Sequence, residues 1–304
     1  MAQPPLQSGL VVAAHGRHCL VETDDGSRRI CHPRGKKSQS VVGDRVQWLA
    51  PPAGQGEEGT IESVAPRLNL LYRQDEIRTK SFAANIDQVL VLVAAEPKPS
   101  EHQLARVLIA AAAERIVPLI VLNKRDLAVP FTRAWERLAP YRAMGYAMQG
   151  TSLRTEDLAA LDAVLRDKAT LVMGPSGAGK STLINRLVPT AAALTQEISQ
   201  ALKSGKHTTT STTWYWTDTT RRTALIDSPG FQEFGLQQIA PRDLATLMPD
   251  IAAQAGHCRF YNCTHLHEPG CAVLAAVGEA QPIATRRHAI YRDLYAELSQ
   301  PPRY

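Results

Sequence analysis

TLVMGPSGAGKSTLINRL, residues 170–187, is the stretch from which the fold can be read. The apolar run Leu171–Met173 reads as a buried strand, and Thr182–Leu187 has the leucine spacing of a helix with one face turned inward. Between them Gly174, Pro175, Ser176, Gly177, Ala178, Gly179, Lys180 and Ser181 fit G-x-x-x-x-G-K-[ST] without a gap. Glycines let the chain curl so that its N–H groups converge on one point, a cradle for phosphate oxygens. The helix N-terminus adds partial positive charge at the same point. Lys180 is placed to reach β- and γ-phosphates, Ser181 to hold Mg²⁺, and Thr182 completes the nucleotide-binding candidates in the first helical turn. The alternative is a glycine-rich turn that binds nothing; the strand before and the helix after argue against it.

The chain has 304 residues, enough for two or three domains, with 44% apolar and 21% charged residues. No apolar run reaches about eighteen residues, the length a membrane span requires. The longest candidate, Val107–Leu122, is interrupted by Glu114, Arg115 and Pro118. MAQPPLQSGL lacks a basic segment followed by an apolar core, so export is not expected and a cytoplasmic protein is. The net charge of +5 points towards a polyanionic partner.

From Gly9 to about Val64 the apolar pattern is short and alternating. Leu10–Val12, Cys19–Val21, Arg29–Cys31, Val46–Trp48 and Thr60–Glu62 read as strands, separated by turn signals such as Asp24-Asp25-Gly26 and Val42-Gly43-Asp44. Short strands without a helix suit a small barrel of the OB type, a fold that binds RNA or single strands on one face. Arg28, Arg29, Arg34, Lys36 and Lys37 supply charge for such contact, with His32 as a stacking candidate. Trp48 reads as core, as strand tryptophans usually pack inward.

Gln88–Ala95 and Val117–Leu122 are dense apolar runs of the kind found in doubly covered parallel strands. Glu101–Ile116 between them has helical spacing, giving a βαβ unit. Asn123-Lys124-Arg125-Asp126 follows the second strand directly, the N-K-x-D order that GTPases use to read guanine. A helix over Phe131–Met144 and a strand over Tyr146–Gln149 lead to Thr151-Ser152-Leu153, where a GTPase brings a backbone-rich loop to the base. After the phosphate loop, KSGKHTTTSTT (203–213) sits where a switch threonine closes on Mg²⁺, with Thr208, Thr209 and Thr210 as candidates. Trp214–Trp216 and Arg222–Ile226 read as a strand pair ending in Asp227-Ser228-Pro229-Gly230, a D-x-x-G motif.

Base recognition here precedes the phosphate loop, whereas in most GTPases it follows, so the elements run four, five, one, two, three and the sheet is circularly permuted. Barrel, permuted GTPase and a terminal cysteine cluster together resemble the ribosome small-subunit-dependent GTPase family known as RsgA or YjeQ/YloQ, over nearly the whole chain. The resemblance implies an OB-fold domain over 1–67, a circularly permuted α/β P-loop GTPase domain over 68–238 and a helical zinc-binding module over 239–304. It implies GTP/GDP as ligand and hydrolysis of GTP, stimulated by the small subunit and acting in that subunit's late maturation. Asp126 would accept from guanine N1–H and the 2-amino group, with Asn123, Lys124, Thr151 and Ser152 bracing the base. Ser181 and Thr209 would hold Mg²⁺, Asp227 would act on it through water, and the Gly230 N–H would face the γ-phosphate.

The residue after D-x-x-G is Phe231, where Ras-like proteins have a water-orienting glutamine. His207, beside the switch threonines, is the candidate for that role, with Lys180 and Thr209 completing the expected catalytic set. Turnover alone is therefore expected to be slow.

Cys258-x4-Cys263-x-His265-x5-Cys271 supplies three thiols and an imidazole, a set suited to one tetrahedral structural Zn²⁺. His257 and His267 flank the set, so spacing leaves the choice of histidine open, and the family pattern favours His265. Pro241–Ala255 and Arg286–Leu298 read as helices around it, with Arg259, Arg286, Arg287, His288 and Arg292 as possible contacts to rRNA. The partners implied are the small subunit and its 16S rRNA; no membrane partner is expected, and a monomer is. The competing readings are a GTP-regulated RNA-binding module in which hydrolysis is incidental, and a P-loop ATPase, which Asn123-Lys124-Arg125-Asp126 disfavours.

Overall fold

Five strands close the amino-terminal barrel: β1 (Gln7–His15), β2 (His18–Glu22), β3 (Arg28–Pro33), β4 (Arg45–Leu49) and β5 (Gly59–Val64). The computed structural model describes residues 5–35, 40–51, 58–75, 79–201, 212–230 and 234–300. β1 pairs with both β2 and β4, β2 with β3, β3 in parallel with β5, and β5 with β4, so the ring is complete. Its interior is Val11, Val21, Cys31, Val46, Trp48 and Ile61. A Cβ on Gly9 would lie 2.3 Å from the Val21 side chain, so glycine lets β1 pass close over this core.

After the barrel comes a hairpin, β6 (Leu70–Gln74) and β7 (Thr79–Ala84), which the sequence pattern did not announce. The GTPase sheet then forms from β8 (Gln88–Ala94), α1 (Glu101–Ala113), β9 (Val117–Asn123), α2 (Ala128–Arg137), α3 (Ala139–Ala143), β10 (Ala147–Gly150), α4 (Ala159–Leu165), β11 (Ala169–Met173), α5 (Lys180–Leu187), α6 (Ala191–Ala201), β12 (Thr213–Trp216) and β13 (Ala224–Asp227). The expected helix over Phe131–Met144 is two helices, because Leu138 leaves helical geometry and Pro140 starts the next turn. The strand after it begins at Ala147 rather than Tyr146.

Sheet order is β10-β9-β8-β11-β13-β12, parallel except for β12. β8 is buried along its whole length because helices cover both faces. Val89, Val91 and Val93 enter one core layer, while Leu90 and Leu92 enter the other with Leu183 and Ile184 of α5. The barrel continues this sheet, for β1 pairs with β12 at Ala13 and Thr213. Beside that join the Glu22 carboxylate accepts from the Trp216 indole N–H at 2.6 Å and from Arg28 Nε at 3.0 Å. Arg28 therefore serves the join, and Arg34 pairs with Glu62 at 2.5 Å. Lys36 and Lys37 lie outside the described residues.

The carboxyl-terminal part holds a 3-10 helix (Pro241–Leu247), α7 (Pro249–Ala255), α8 (Ala272–Ala275) and α9 (Thr285–Leu298). The expected helix over Pro241–Ala255 is thus divided at Met248, before Pro249. Arg287 corrects a further expectation, because it does not face a partner. Its guanidinium donates to both oxygens of Asp250, at 2.9 and 3.1 Å, and to the Tyr141 hydroxyl at 3.2 Å, and the side chains of the pair are 3% and 4% exposed. Arg286 meets Glu101, and His288 Nε2 lies 2.8 Å from the His265 carbonyl. Removing one partner of a buried ion pair strands the other charge. Arg287→Ala is therefore expected to cost about 3–5 kcal/mol in chemical denaturation. Arg292→Ala, in the exposed Arg292–Asp293 pair, should stay within about 0.5 kcal/mol. Equal losses in the two variants would contradict this assignment.

Candidate nucleotide site and metal centre

Parallel strands put their carboxyl ends on one edge, and loops after β9, β11 and β13 open there onto a cleft of about 1050 Å³. Asn123, Lys124, Asp126, Ser176, Gly177, Gly179, Lys180, Ser181, Thr182, Asp227 and Gly230 line it, so residues of the separate motifs come together in one cleft. Thr151, Ser152, Gly174, Pro175 and Ala178 are not among the lining residues, but each is hydrogen-bonded to a residue of the base or phosphate loops. The Asn123 amide donates to the Ala178 carbonyl at 2.9 Å, and its oxygen accepts from the Leu153 N–H at 3.0 Å. One side chain thereby ties the base motif to the phosphate loop and to the loop after β10. Gly179 has φ +109°, and a Cβ there would lie 2.5 Å from that amide, so this position requires glycine.

At the base end Ser152 Oγ donates to Asp126 Oδ1 at 2.6 Å, and Thr155 Oγ1 donates to Ser152 Oγ at 2.8 Å. The Ser152 bond holds the Asp126 carboxyl below its ordinary range, as an acceptor for a base requires. Leu127 and Leu153 supply apolar surface beside it. At the phosphate end Lys180 Nζ donates to the carbonyls of Gly174 and Pro175, at 2.7 and 3.1 Å. Burial lowers the lysine's pKa and Asp227 works against that shift. Burial also pushes the Asp227 carboxyl up to about 6, with Lys180 opposing. A carboxyl of raised pKa that shares the cleft with Ser181 fits a divalent cation, whose charge would restore the ionised form. His207, Thr208, Thr209, Thr210 and Phe231 lie outside the described residues.

Arg73, Asp75, Lys80 and Phe82 of the hairpin, together with Arg154, also line the cleft, and motif reading missed them. Arg154 follows Thr151-Ser152-Leu153 directly, which could have marked it. The hairpin carries no nucleotide motif at all.

The second site is the cluster of Cys258, Cys263, His265 and Cys271, whose ligand atoms all lie within 4.8 Å of one another. Tetrahedral zinc with thiolate and imidazole ligands requires roughly 3.8 Å between sulfurs and roughly 3.6 Å between sulfur and nitrogen. Cys258 and Cys271 sulfurs are 3.8 Å apart, and His265 Nδ1 lies 3.5 and 3.6 Å from them. The donor set thus fits zinc, with His265 as the histidine facing the thiols. Burial lowers the pKa of His265, which favours the neutral imidazole a metal binds. Glu268, not foreseen from the sequence, braces the loop by accepting from the Thr264 and Leu266 N–H groups at 2.8 and 3.2 Å.

A phosphate loop, a guanine-type base loop and D-x-x-G on one permuted sheet define a circularly permuted P-loop GTPase. A family model described as RsgA GTPase matches residues 64–237. The Variovorax paradoxus (strain S110) small ribosomal subunit biogenesis GTPase RsgA is 67% identical, covering 97% of this chain and 93% of that protein. The Paraburkholderia xenovorans (strain LB400) protein of the same name is 50% identical, covering 96% and 93%. Among solved structures, YloQ, a circularly permuted GTPase, aligns with a TM-score of 0.71 at 27% identity over 99% of this chain and 98% of that one. YjeQ from Thermotoga maritima aligns at 0.73 and 28% identity, over 98% and 100%. The chain belongs to the RsgA GTPase family and is a GTP hydrolase.

Proposed function

We propose that this chain binds the small ribosomal subunit through its 16S rRNA, acts in late maturation of that subunit and hydrolyses GTP to GDP and phosphate when docked. The observation that carries this reading is the join between barrel and GTPase sheet. β1 pairs with β12, β12 pairs with β13, and β13 ends at Asp227 on the phosphate cleft. A partner that shifts the barrel thus acts on the strand pair that carries Asp227. The net charge of +5 favours a polyanionic partner, and relatives at 67% and 50% identity carry the small-subunit name. Among the described residues no helix is long and apolar enough to cross a membrane. In this reading the chain works in the cytoplasm as a monomer.

In this reading Asp126 selects guanine, with Asn123, Lys124 and Ser152 bracing it. The phosphate loop and Lys180 neutralise charge on the phosphates. Ser181 and Thr209, with Asp227 acting through water, would hold Mg²⁺, which would supply further charge neutralisation. His207 orients the attacking water that Phe231 cannot. The test is GTP turnover by the full chain alone, with purified small subunits and with large subunits. Strong stimulation by small subunits only is expected, and His207→Ala should lose most of it. Equal rates in all three mixtures would overturn the partner assignment; full stimulation of His207→Ala would remove that residue from the mechanism.

A further inference from the structure

The cleft has a wall that none of the nucleotide motifs explains. That wall is the face of the β6–β7 hairpin bearing Arg73, Lys80 and Phe82. Arg73 and Lys80 are register partners, directly opposite each other across the two strands. Like charges in that position destabilise a strand pair, and an anion near Lys80 would offset that cost. Burial and the neighbouring Arg73 charge lower the pKa of Lys80. Arg73 has an ion-pair partner in Asp75, whose carboxylate lies 3.9 Å from its Nη2 and also accepts the Gly235 N–H at 3.1 Å, so the cation concerned is Lys80. Among the described residues Lys80 meets no carboxylate; its ammonium lies 5.9 Å from the centre of the Phe82 ring.

The hairpin is also fastened to the chain that leaves the D-x-x-G motif. Phe234 stacks on Phe82 with centroids 5.8 Å apart, and Gln74 donates to the Gly235 carbonyl at 3.3 Å and accepts from the Gln237 N–H at 3.0 Å. A Cβ built on Gly230 would lie 3.1 Å from the Lys180 ammonium, so Gly230 marks the phosphate end of the cleft. The two hairpin cations line the same cleft as that end, on a hairpin bonded to the chain that follows it.

We propose that Lys80, with Arg73 opposite it, binds the terminal phosphate of GTP and adds positive side-chain charge to that of Lys180. This rests on the reading of the chain as a GTP hydrolase. An ammonium on the γ-phosphoryl oxygens stabilises negative charge that GDP does not present at that place. The hairpin thereby distinguishes triphosphate from diphosphate, and a segment bonded to residues 235–237 senses the terminal phosphate. An RNA backbone phosphate has the same chemistry, but the side chains line the nucleotide cleft itself and share it with Lys180 and Gly230.

The test uses the full chain with Mg²⁺, as wild type, Lys80→Met and Lys80→Arg, and displacement of a fluorescent guanine nucleotide by GDP and by the non-hydrolysable imido analogue of GTP. A charge-assisted hydrogen bond is worth about tenfold or more in affinity. Lys80→Met is expected to weaken the triphosphate analogue by about tenfold while GDP stays within about twofold, which also shows that the variant folds. Lys80→Arg should restore most of the difference. An unchanged ratio of the two affinities in Lys80→Met would overturn the inference. An unchanged ratio together with weaker binding to small subunits would assign Lys80 to RNA phosphate instead and overturn it equally. A wild-type chain that bound neither nucleotide would sink the hydrolase reading itself.

Discussion

Stripping the zinc is expected to unfold the carboxyl-terminal module and to lower the thermal stability of the whole chain. Structural zinc contributes about 10–16 kcal/mol of apparent binding free energy in small zinc modules, more than a core of this size provides. Around the cluster, Cys271, Val273, Ile283, Ile290 and Tyr291 are among the buried apolar side chains, and α8 has only the four residues Ala272–Ala275. The consequence reaches the GTPase domain because α9 is fastened to it. Arg106 of α1 donates to Glu297 at 2.9 Å and to the Phe234 carbonyl at 3.1 Å. A disordered α9 would free Arg106 and loosen the segment that follows D-x-x-G. The measurement is thermal unfolding with and without a chelator, beside zinc content of wild type and Cys258→Ser. One zinc per chain, with loss of metal and a large fall in melting temperature for the variant, is expected. Undiminished stability of a metal-free chain would show that the cluster is not the staple.

The nucleotide motifs were legible because each combines fixed residue types with a strand before it, and their order gave the permutation. What stayed hidden had no periodic signal. LLYRQ and TKSFAA do not alternate cleanly, since their polar face borders a cleft and not bulk water. Arg287 is a different case, for its signal was present. Ile290, Tyr291, Leu294 and Leu298 form the buried stripe of α9, and position 287 falls on that stripe by helical spacing. An arginine on an apolar stripe calls for a buried carboxylate, and Asp250 is that group. Reading the basic residues of the helix together as contacts to rRNA lost this distinction. The long helix expected after β9 failed for a local reason, Pro140, which the sequence displays. The choice of His265 rested on family pattern; three-dimensional spacing to the two sulfurs supplies the independent physical reason.

Asp126→Asn is expected to exchange the base preference of the site. A carboxylate accepts only, so it fits two donors side by side, the N1–H and 2-amino group of guanine. An amide offers an acceptor and a donor, and so fits N1–H beside a 2-oxo group, as in xanthine. Asp126 Oδ1 accepts from Ser152, which fixes the carboxylate in place, and Asn123 holds the same loop to the phosphate loop, so the substituted amide would be presented in the same position. A site built around buried hydrogen bonds rejects the mismatched partner by about 10⁴-fold, and a change of that order in the ratio of GTP to XTP affinity is expected. ATP should compete poorly with both proteins, since adenine has an acceptor at N1 and no 2-amino group. Ser152→Ala, which only frees the carboxylate to swing, should weaken GTP by about tenfold with the base preference kept. Competition against a fluorescent guanine nucleotide reads all of these ratios. An Asp126→Asn variant that still preferred GTP over XTP would mean the base is read by some other group, and the position of Asp126 on the cleft wall would then need a different explanation.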